Sequence, residues 1–320
     1  MCNRFHKIWI TAFILAVIGI VELGSMQALR AEEKLQIVTS TALFRDLVQK
    51  IGGEKVEAKH IASPKFNVHF VQPRPNDVKN TAKADLFVFA GLDLEAWVDP
   101  LLEAAGKPAL FRGGTRNVDL SQNIYLLNPP ISPLSREQGD LHLFGNPHYH
   151  MNPANLKIAS GTLLQKLQEI DPMNASYYSA NAESFRRQLD NKISEWQQLC
   201  AHCGGQEVIS YHDDMAYLAD FLGLQINQFI EPKPGVPPTP KHLQFLQKYV
   251  KENNVRAIVM PTYFPQKAAK VLADSVGAKV VTVCQNAGEV EGTEDLFEFF
   301  DHNIQQISVA LRVPTPGAGL

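Results

Sequence analysis

Apolar and polar positions along this chain follow two rhythms that take turns. Leu35 to Ser40 (LQIVTS) is a short run rich in β-branched residues, after which Phe44, Leu47, Val48 and Ile51 recur at helical spacing until Gly52-Gly53. A second strand is expected from about Val56 to Ala62. It runs into the loop Ser-Pro-Lys-Phe-Asn-Val-His-Phe, which carries His69 just past the strand's carboxyl end, and a short helix starts near Asn76-Asp77. Asp85 to Ala90 (DLFVFA) is continuously apolar after its first residue, as a strand buried on both faces should be, and Gly91 turns it into a helix bearing Leu94, Trp97, Val98 and Leu101.

Residues 121–147 are rich in Pro, Asn, Ser and Gly and read as a long loop, of the kind that is usually functional or mobile. It ends in Gly-Asn-Pro-His-Tyr-His-Met-Asn-Pro (145–153). A helix follows to about Ile170, then a longer one from about Ala175 to Leu199, whose ~25 residues span ~37 Å at the α-helical rise. The alternation then resumes: strand Glu207 to Tyr211, helix Met215 to Leu222, strand Gln225 to Ile230, a proline-rich loop, and a helix to about Glu252. Strand Arg256 to Met260, helix Pro265 to Val276, strand Lys279 to Val283 and a last helix ending near Arg312 complete it. Strands alternating with helices predict an α/β fold of two doubly wound lobes with mainly parallel sheets, joined by a long backbone helix. The expected lobes are 32–152 and 204–320, with connecting helices in 153–203.

The N-terminus changes this picture only by removal. Arg4 and Lys7 precede an apolar run from Ile8 to Val21, and small residues follow up to Ala31, so residues 1–31 read as a signal peptide. The run of roughly 14 residues is shorter than the ~20 of a membrane span. Cys2 lies ahead of it, where no lipid-anchoring cysteine is expected, so export to the periplasm as a soluble protein is predicted. Without these residues the formal charge moves from −3 to −5, and no basic stripe marks a nucleic-acid surface. Cys200 and Cys203 are expected to form a short disulfide ahead of a redox centre, which leaves Cys284 unpaired, as a buried thiol or a metal ligand.

In open parallel sheets, ligands bind beyond the carboxyl ends of the strands. His69 and His212 fall at such ends, Cys284 directly follows the last strand, and His148 sits where the first lobe meets the connecting helices. Three imidazoles and a thiolate would close a tetrahedral zinc site, although each residue alone reads equally as a solvated or packed side chain. The enzyme alternative, an exported three-histidine zinc hydrolase, would need an open coordination position and a base such as Asp213 or Asp214. Neither a His-Glu-x-x-His nor a Gly-x-Ser-x-Gly motif accompanies it.

Several stretches in order, IVTSTALFRDLVQKIGG, HFVQPRPNDVKNTAKADLFVFAGLDLEAWVD, GNPHYHMNPANLKIA, VISYHDDMAYLADFLGL and VRAIVMPTYFPQKAAKVLADSVGAKVV, resemble the zinc and manganese solute-binding receptors of ABC importers. The resemblance covers nearly all of the chain after the signal peptide. It implies two α/β lobes about a long rigid helix, one metal in the interlobe cleft, no enzymatic activity, and delivery of the ion by a monomer to a permease in the inner membrane.

Residue by residue, His69 matches the first-lobe histidine that leads into Pro73, Pro75 and Asp77. His148 matches the histidine of the second motif, and His212 the one after a second-lobe strand. His150 and Asn152 stand where Trp and Asp are usual, so His150 competes with His148. Cys284 stands where many relatives place a carboxylate, with Glu231, water or no fourth donor as alternatives. Three nitrogens and a thiolate favour Zn(II) over Mn(II). The long loop offers only His142, so a polyhistidine scavenging segment is not expected.

Overall fold

The computed structural model describes residues 33–128, 144–233 and 235–312. The predicted signal peptide and His142 lie outside the described residues. Among the described residues no helix is long and apolar enough to cross a membrane.

The chain forms two parallel four-stranded sheets. In the first lobe β1 (Leu35–Thr39) pairs with β2 (Val56–His60) on one side and β3 (Leu86–Phe89) on the other, and β4 (Asn117–Asp119) closes the edge, giving the order β2-β1-β3-β4. The second lobe repeats that order as β6-β5-β7-β8, with β5 (Glu207–Ser210), β6 (Gln225–Phe229), β7 (Ala257–Pro261) and β8 (Lys279–Val283). In each sheet the chain leaves the first strand for one neighbour and returns to the other, which creates a switch point where crossovers diverge and a crevice opens.

Burial explains which strands sit centrally: all residues of β3 and β7 are buried, whereas the edge strands β2 and β6 expose alternate positions. Strand β4 was absent from the pattern reading because Asn-Val-Asp carries a single apolar residue. The helix expected directly after Gly91 begins later, as α3 (Val98–Ala105), following α1 (Ala42–Gly52) and α2 (Pro75–Lys83). Glu95 is the cause. Its buried carboxylate accepts the main-chain N–H of Ala90 at 2.8 Å and of Gly91 at 3.3 Å, folding residues 91–93 into a turn with positive φ at all three. Burial pushes the Glu95 carboxyl up to about 7, against the hydrogen bonds it accepts from the Ala90 and Gly91 main chain.

Two helices carry the chain between the sheets, α4 (Pro153–Ile170) and α5 (Ala175–Leu199). The second lobe adds α6 (Ala216–Leu222), α7 (Pro240–Glu252), α8 (Gln266–Val276) and α9 (Leu296–Leu311). Tyr178, Ala182, Phe185, Leu189 and Trp196 form the buried stripe of α5 at helical spacing. Asn181 on this helix donates to the carbonyl of Ile51 at the end of α1 (3.0 Å), while Trp196 Nε1 donates to Asp301 on α9 (2.7 Å). Direct contacts between α1 and α9 reinforce the join: Asp46 accepts the N–H of Leu296 at 2.8 Å, and Lys50 pairs with Asp295. One apolar cluster therefore runs from Leu43 and Leu47, through Phe185 and Trp196, to Phe299 and Phe300.

At the end of α5 the sulfurs of Cys200 and Cys203 lie at bonding distance, with Cα atoms 5.2 Å apart. His202 between them meets the carbonyl of Ser308 at 2.9 Å, anchoring this turn to α9.

Because Trp196 packs on Phe300 with ring centroids 5.2 Å apart and is 1% exposed, truncation should leave a cavity between the lobes. Trp196→Ala is expected to cost about 3–5 kcal/mol in urea denaturation. A loss below about 1 kcal/mol would show that α5 is not the spine joining the lobes.

Candidate metal centre

Each of three histidines is delivered by a different local device. His69 lies in a 3-10 turn, Val68–Phe70, that Asn67 caps by accepting the N–H of His69 at 2.9 Å. Trp97 Nε1 donates to the carbonyl of Val68 at 2.8 Å, so this loop is fastened to the first lobe's core. His148 is fully buried. Asn146 Oδ1 stands 3.0 Å from both its main-chain nitrogen and its ring Nδ1, so the ring donates through Nδ1–H and turns Nε2 outward. His212 follows β5 at the switch point of the second sheet, and its Nδ1 meets Glu231 Oε2 at 3.1 Å. That contact leaves Nε2 as its donor atom.

The structure brings these three side chains together from two lobes. One ligand atom from each of His69, His148 and His212 lies within 4.8 Å of the others. The Nε2 atoms of His69 and His148 are 3.1 Å apart, and the rings meet edgewise with centroids 5.1 to 6.1 Å apart. Two imidazole nitrogens on a tetrahedral Zn²⁺ at 2.0–2.1 Å would stand about 3.3 Å apart. The His69–His148 spacing matches such a pair, and three imidazoles on one tetrahedral ion would leave one position for water or another ligand.

Acidic groups surround the imidazoles. Burial raises Asp214 to about 7 and Asp213 to about 6, with the charge of His212 opposing both shifts. Burial also works against the His212 imidazolium, but Glu231, Asp214 and Asp213 together outweigh it and raise its pKa. A cation entering this pocket meets carboxyl groups that ionise in response to it.

Cys284 stands outside the three-histidine group. It is 0% exposed, and its main chain is clamped by Asn303, which accepts from the Cys284 nitrogen at 2.7 Å and donates to its carbonyl at 2.8 Å. Burial and the charge of Glu289 push the thiol up to about 12, against hydrogen bonds from Thr293 and the Val290 main chain. The next residue faces elsewhere: Gln285 Oε1 accepts from the hydroxyl of Tyr263 at 2.8 Å, and its buried Nε2 has no hydrogen-bond partner among the described residues.

His150 also stays outside the group. No ligand atom of it joins the cluster of the other three, it packs edge-on to Phe44, and burial pulls its pKa down to about 4 against a hydrogen bond to the Gln285 main chain. Asn152 caps α4 by accepting the N–H of Ala154 at 2.9 Å. Pattern reading missed Asn146, whose only signal is an amide two residues before a histidine. Asn146 Nδ2 donates to the carbonyl of Asp213 at 2.8 Å, and the Tyr217 hydroxyl donates to the carbonyl of Asn146 at 3.0 Å. This residue thus holds His148 and touches the loop that carries His212.

Two parallel α/β lobes on a helical spine, with an imidazole triad in the cleft, define the architecture of a metal-ion solute-binding protein. The chain belongs to the family described as ZnuA, zinc-uptake complex component A, periplasmic, whose profile matches residues 37–310. It is accordingly a metal-binding receptor of an ABC metal-uptake system and not an enzyme. Among curated relatives, the high-affinity zinc uptake system protein ZnuA of Bacillus subtilis (strain 168) is 25% identical over 256 residues, 77% of each chain. The iron-binding protein YfeA of Yersinia pestis is 22% identical over 253 residues, 77% of this chain and 76% of that one. A crystal structure of ZnuA superposes with a TM-score of 0.74 at 24% identity, over 88% of this chain and 100% of the other.

Asn146→Ala removes the acceptor that fixes the His148 ring. Loss of such an orienting partner is expected to weaken metal binding about 10–100-fold, measured by competition with a chromophoric chelator. Unchanged affinity would show that the ring is oriented without this amide.

Proposed function

We propose that this protein captures Zn(II) between its lobes through His69, His148 and His212 and hands it to an ABC permease in the inner membrane. The observation that carries this reading is the convergence of three histidine ligand atoms within 4.8 Å. His148 and His212 are 0% and 7% exposed, and each has its Nδ1 beside a carbonyl or carboxylate oxygen. Residues 32–152 and 204–320 serve as the two jaws, with 153–203 as the rigid connection. The protein acts in the periplasm as a soluble monomer after loss of residues 1–31, and a Cys200–Cys203 disulfide staples the end of the connection.

Zinc is preferred to manganese because the donor set is nitrogen alone. Imidazole suits zinc, whereas manganese gains more from carboxylate oxygen, and it binds more weakly at a given nitrogen site. Cys284 is not part of the proposed set, since its thiol is buried against Thr293 and Val290. The fourth position is left to water or to a ligand that enters with the ion.

Equilibrium dialysis should find one zinc per wild-type chain and none on the variant with His69, His148 and His212 all replaced by Ala. Stoichiometric zinc on a folded triple variant would refute the site, and Cys284→Ala should leave affinity unchanged.

Acidification tests the same centre, because a metal binds the neutral imidazole. Protonated His212 excludes the metal, and its pKa lies above the ordinary 6.5, so affinity should begin to fall as pH drops through that raised value. Glu231→Gln removes a charge that raises this pKa, so the fall should start at a lower pH. Titrations between about pH 5 and 8 that gave coincident profiles would contradict this role for Glu231.

A further inference from the structure

One face of the second lobe carries a charge opposite to that of the rest of it. Helices α7 and α8 pack together on the second sheet and bury Leu246, Val250, Leu272 and Ala273 in a small core of their own, with Ile258 and Met260 of β7. Ala257 and Val259, the alternate residues of that strand, belong to the main core instead. The two helices therefore cover the side of the sheet turned away from the spine helix α5, and their outer surface meets solvent.

Between residues 240 and 280 stand seven Lys or Arg and two Asp or Glu, whereas the rest of the lobe, 204–239 and 281–312, holds two and eleven. Lys241, Lys248 and Lys251 are exposed on α7, and Lys267 and Lys270 on α8; they are scattered in sequence and gathered by the fold. Among the described residues only Lys248 of these five has an ionic partner, Glu252 at 3.7 Å, in a pair open to water that contributes little. The lysines of α4 and α5 differ: Lys157, Lys166 and Lys192 pair with Asp190, Glu169 and Asp301 at 2.7, 2.6 and 3.0 Å. Two large apolar side chains stand among the unpaired lysines. Phe245, 48% exposed, lies between Lys241 and Lys248 on one side of α7, and Val271, 49% exposed, follows Lys267 and Lys270 on one side of α8.

We propose that this face binds the surface of an anionic phospholipid membrane, with the lysine ammonium groups on headgroup phosphates and Phe245 and Val271 entering the boundary with the acyl chains. Lysines near a negative lipid surface each contribute about fivefold in affinity, and the apolar pair gains by leaving water. The acidic remainder of the lobe is repelled by such a surface, so the molecule approaches with α7 and α8 foremost. An acidic protein surface would satisfy the lysines but gives no reason for the exposed Phe245 and Val271. For a receptor that hands its ion to a permease, this contact confines the search for the permease to the membrane plane.

The chain from residue 32 onwards, the exported form, is sedimented with phosphatidylcholine vesicles prepared with and without phosphatidylglycerol. It should pellet with the anionic vesicles at low salt, remain in solution with the neutral ones, and be released from the anionic vesicles by high salt. Lys241→Gln/Lys267→Gln should bind about 30-fold more weakly, and Phe245→Ala should bind more weakly at every salt concentration. Lys79→Gln/Lys83→Gln, on α2 of the first lobe, should bind as the wild type does. No pelleting with either vesicle, equal pelleting with both, or equal weakening by the two lysine pairs would each overturn the proposal. Retention on immobilised polyglutamate without binding to phosphatidylglycerol would assign the lysines to an acidic protein surface and overturn it as well. The zinc stoichiometry of every variant should equal that of the wild type, so the outcome here is read separately from that of the three-histidine site.

Discussion

Asn146 carries more of this structure than its size suggests, because one carboxamide serves both lobes at once. Its oxygen takes the main-chain and ring Nδ1 contacts of His148, while its nitrogen donates to the carbonyl of Asp213, next to His212. The ring of His148 is thereby held in one tautomer with Nε2 directed at His69, and the loop after β5 is held at a defined distance from it. Tyr217 secures the arrangement by donating to the Asn146 carbonyl and accepting from Leu127, so the amide cannot rotate without breaking contacts in both lobes. A metal site assembled from distant parts of a chain needs such a shared reference, since errors of about 0.5 Å in ligand placement already degrade it.

The back of the molecule supplies the complementary constraint. Helix α5 packs on α4 and α1 and is joined to α9 through Lys192 and Trp196, both bonded to Asp301. The main apolar core is continuous across this seam, and the polar contacts of Asp46, Lys50, Lys192 and Asp301 flank it. Opening the cleft by a wide hinge would break that core, and the His69 loop is tied to the same core through buried Val68 and its hydrogen bond from Trp97.

Much of this was legible in the sequence, for identifiable reasons. The central strands are continuous apolar runs, the helices have clean stripes, and histidines just beyond strand ends are visible once the strands are placed. What escaped is what periodicity does not encode. Strand β4 has one apolar residue and is defined by pairing with β3; α3 starts late because Glu95 captures two backbone amides. Asn146 is an ordinary loop amide until its partners are known. The fourth position shows the sharpest limit: Cys284 and Gln285 are adjacent in sequence, yet one packs against Thr293 and the other bonds to Tyr263.

The departure at that position shapes the electrostatics of the site. A divalent cation on three neutral imidazoles retains its full charge, and a carboxylate ligand would cancel part of it directly. Here compensation comes from one layer further out, from Glu231 on His212 and from Asp213 and Asp214 behind it. These carboxyls favour approach of a cation and make His212 a stronger base without occupying a coordination position. In the proposed site a metal would thus be held by nitrogen and stabilised by oxygen at a distance, which would preserve discrimination by donor type.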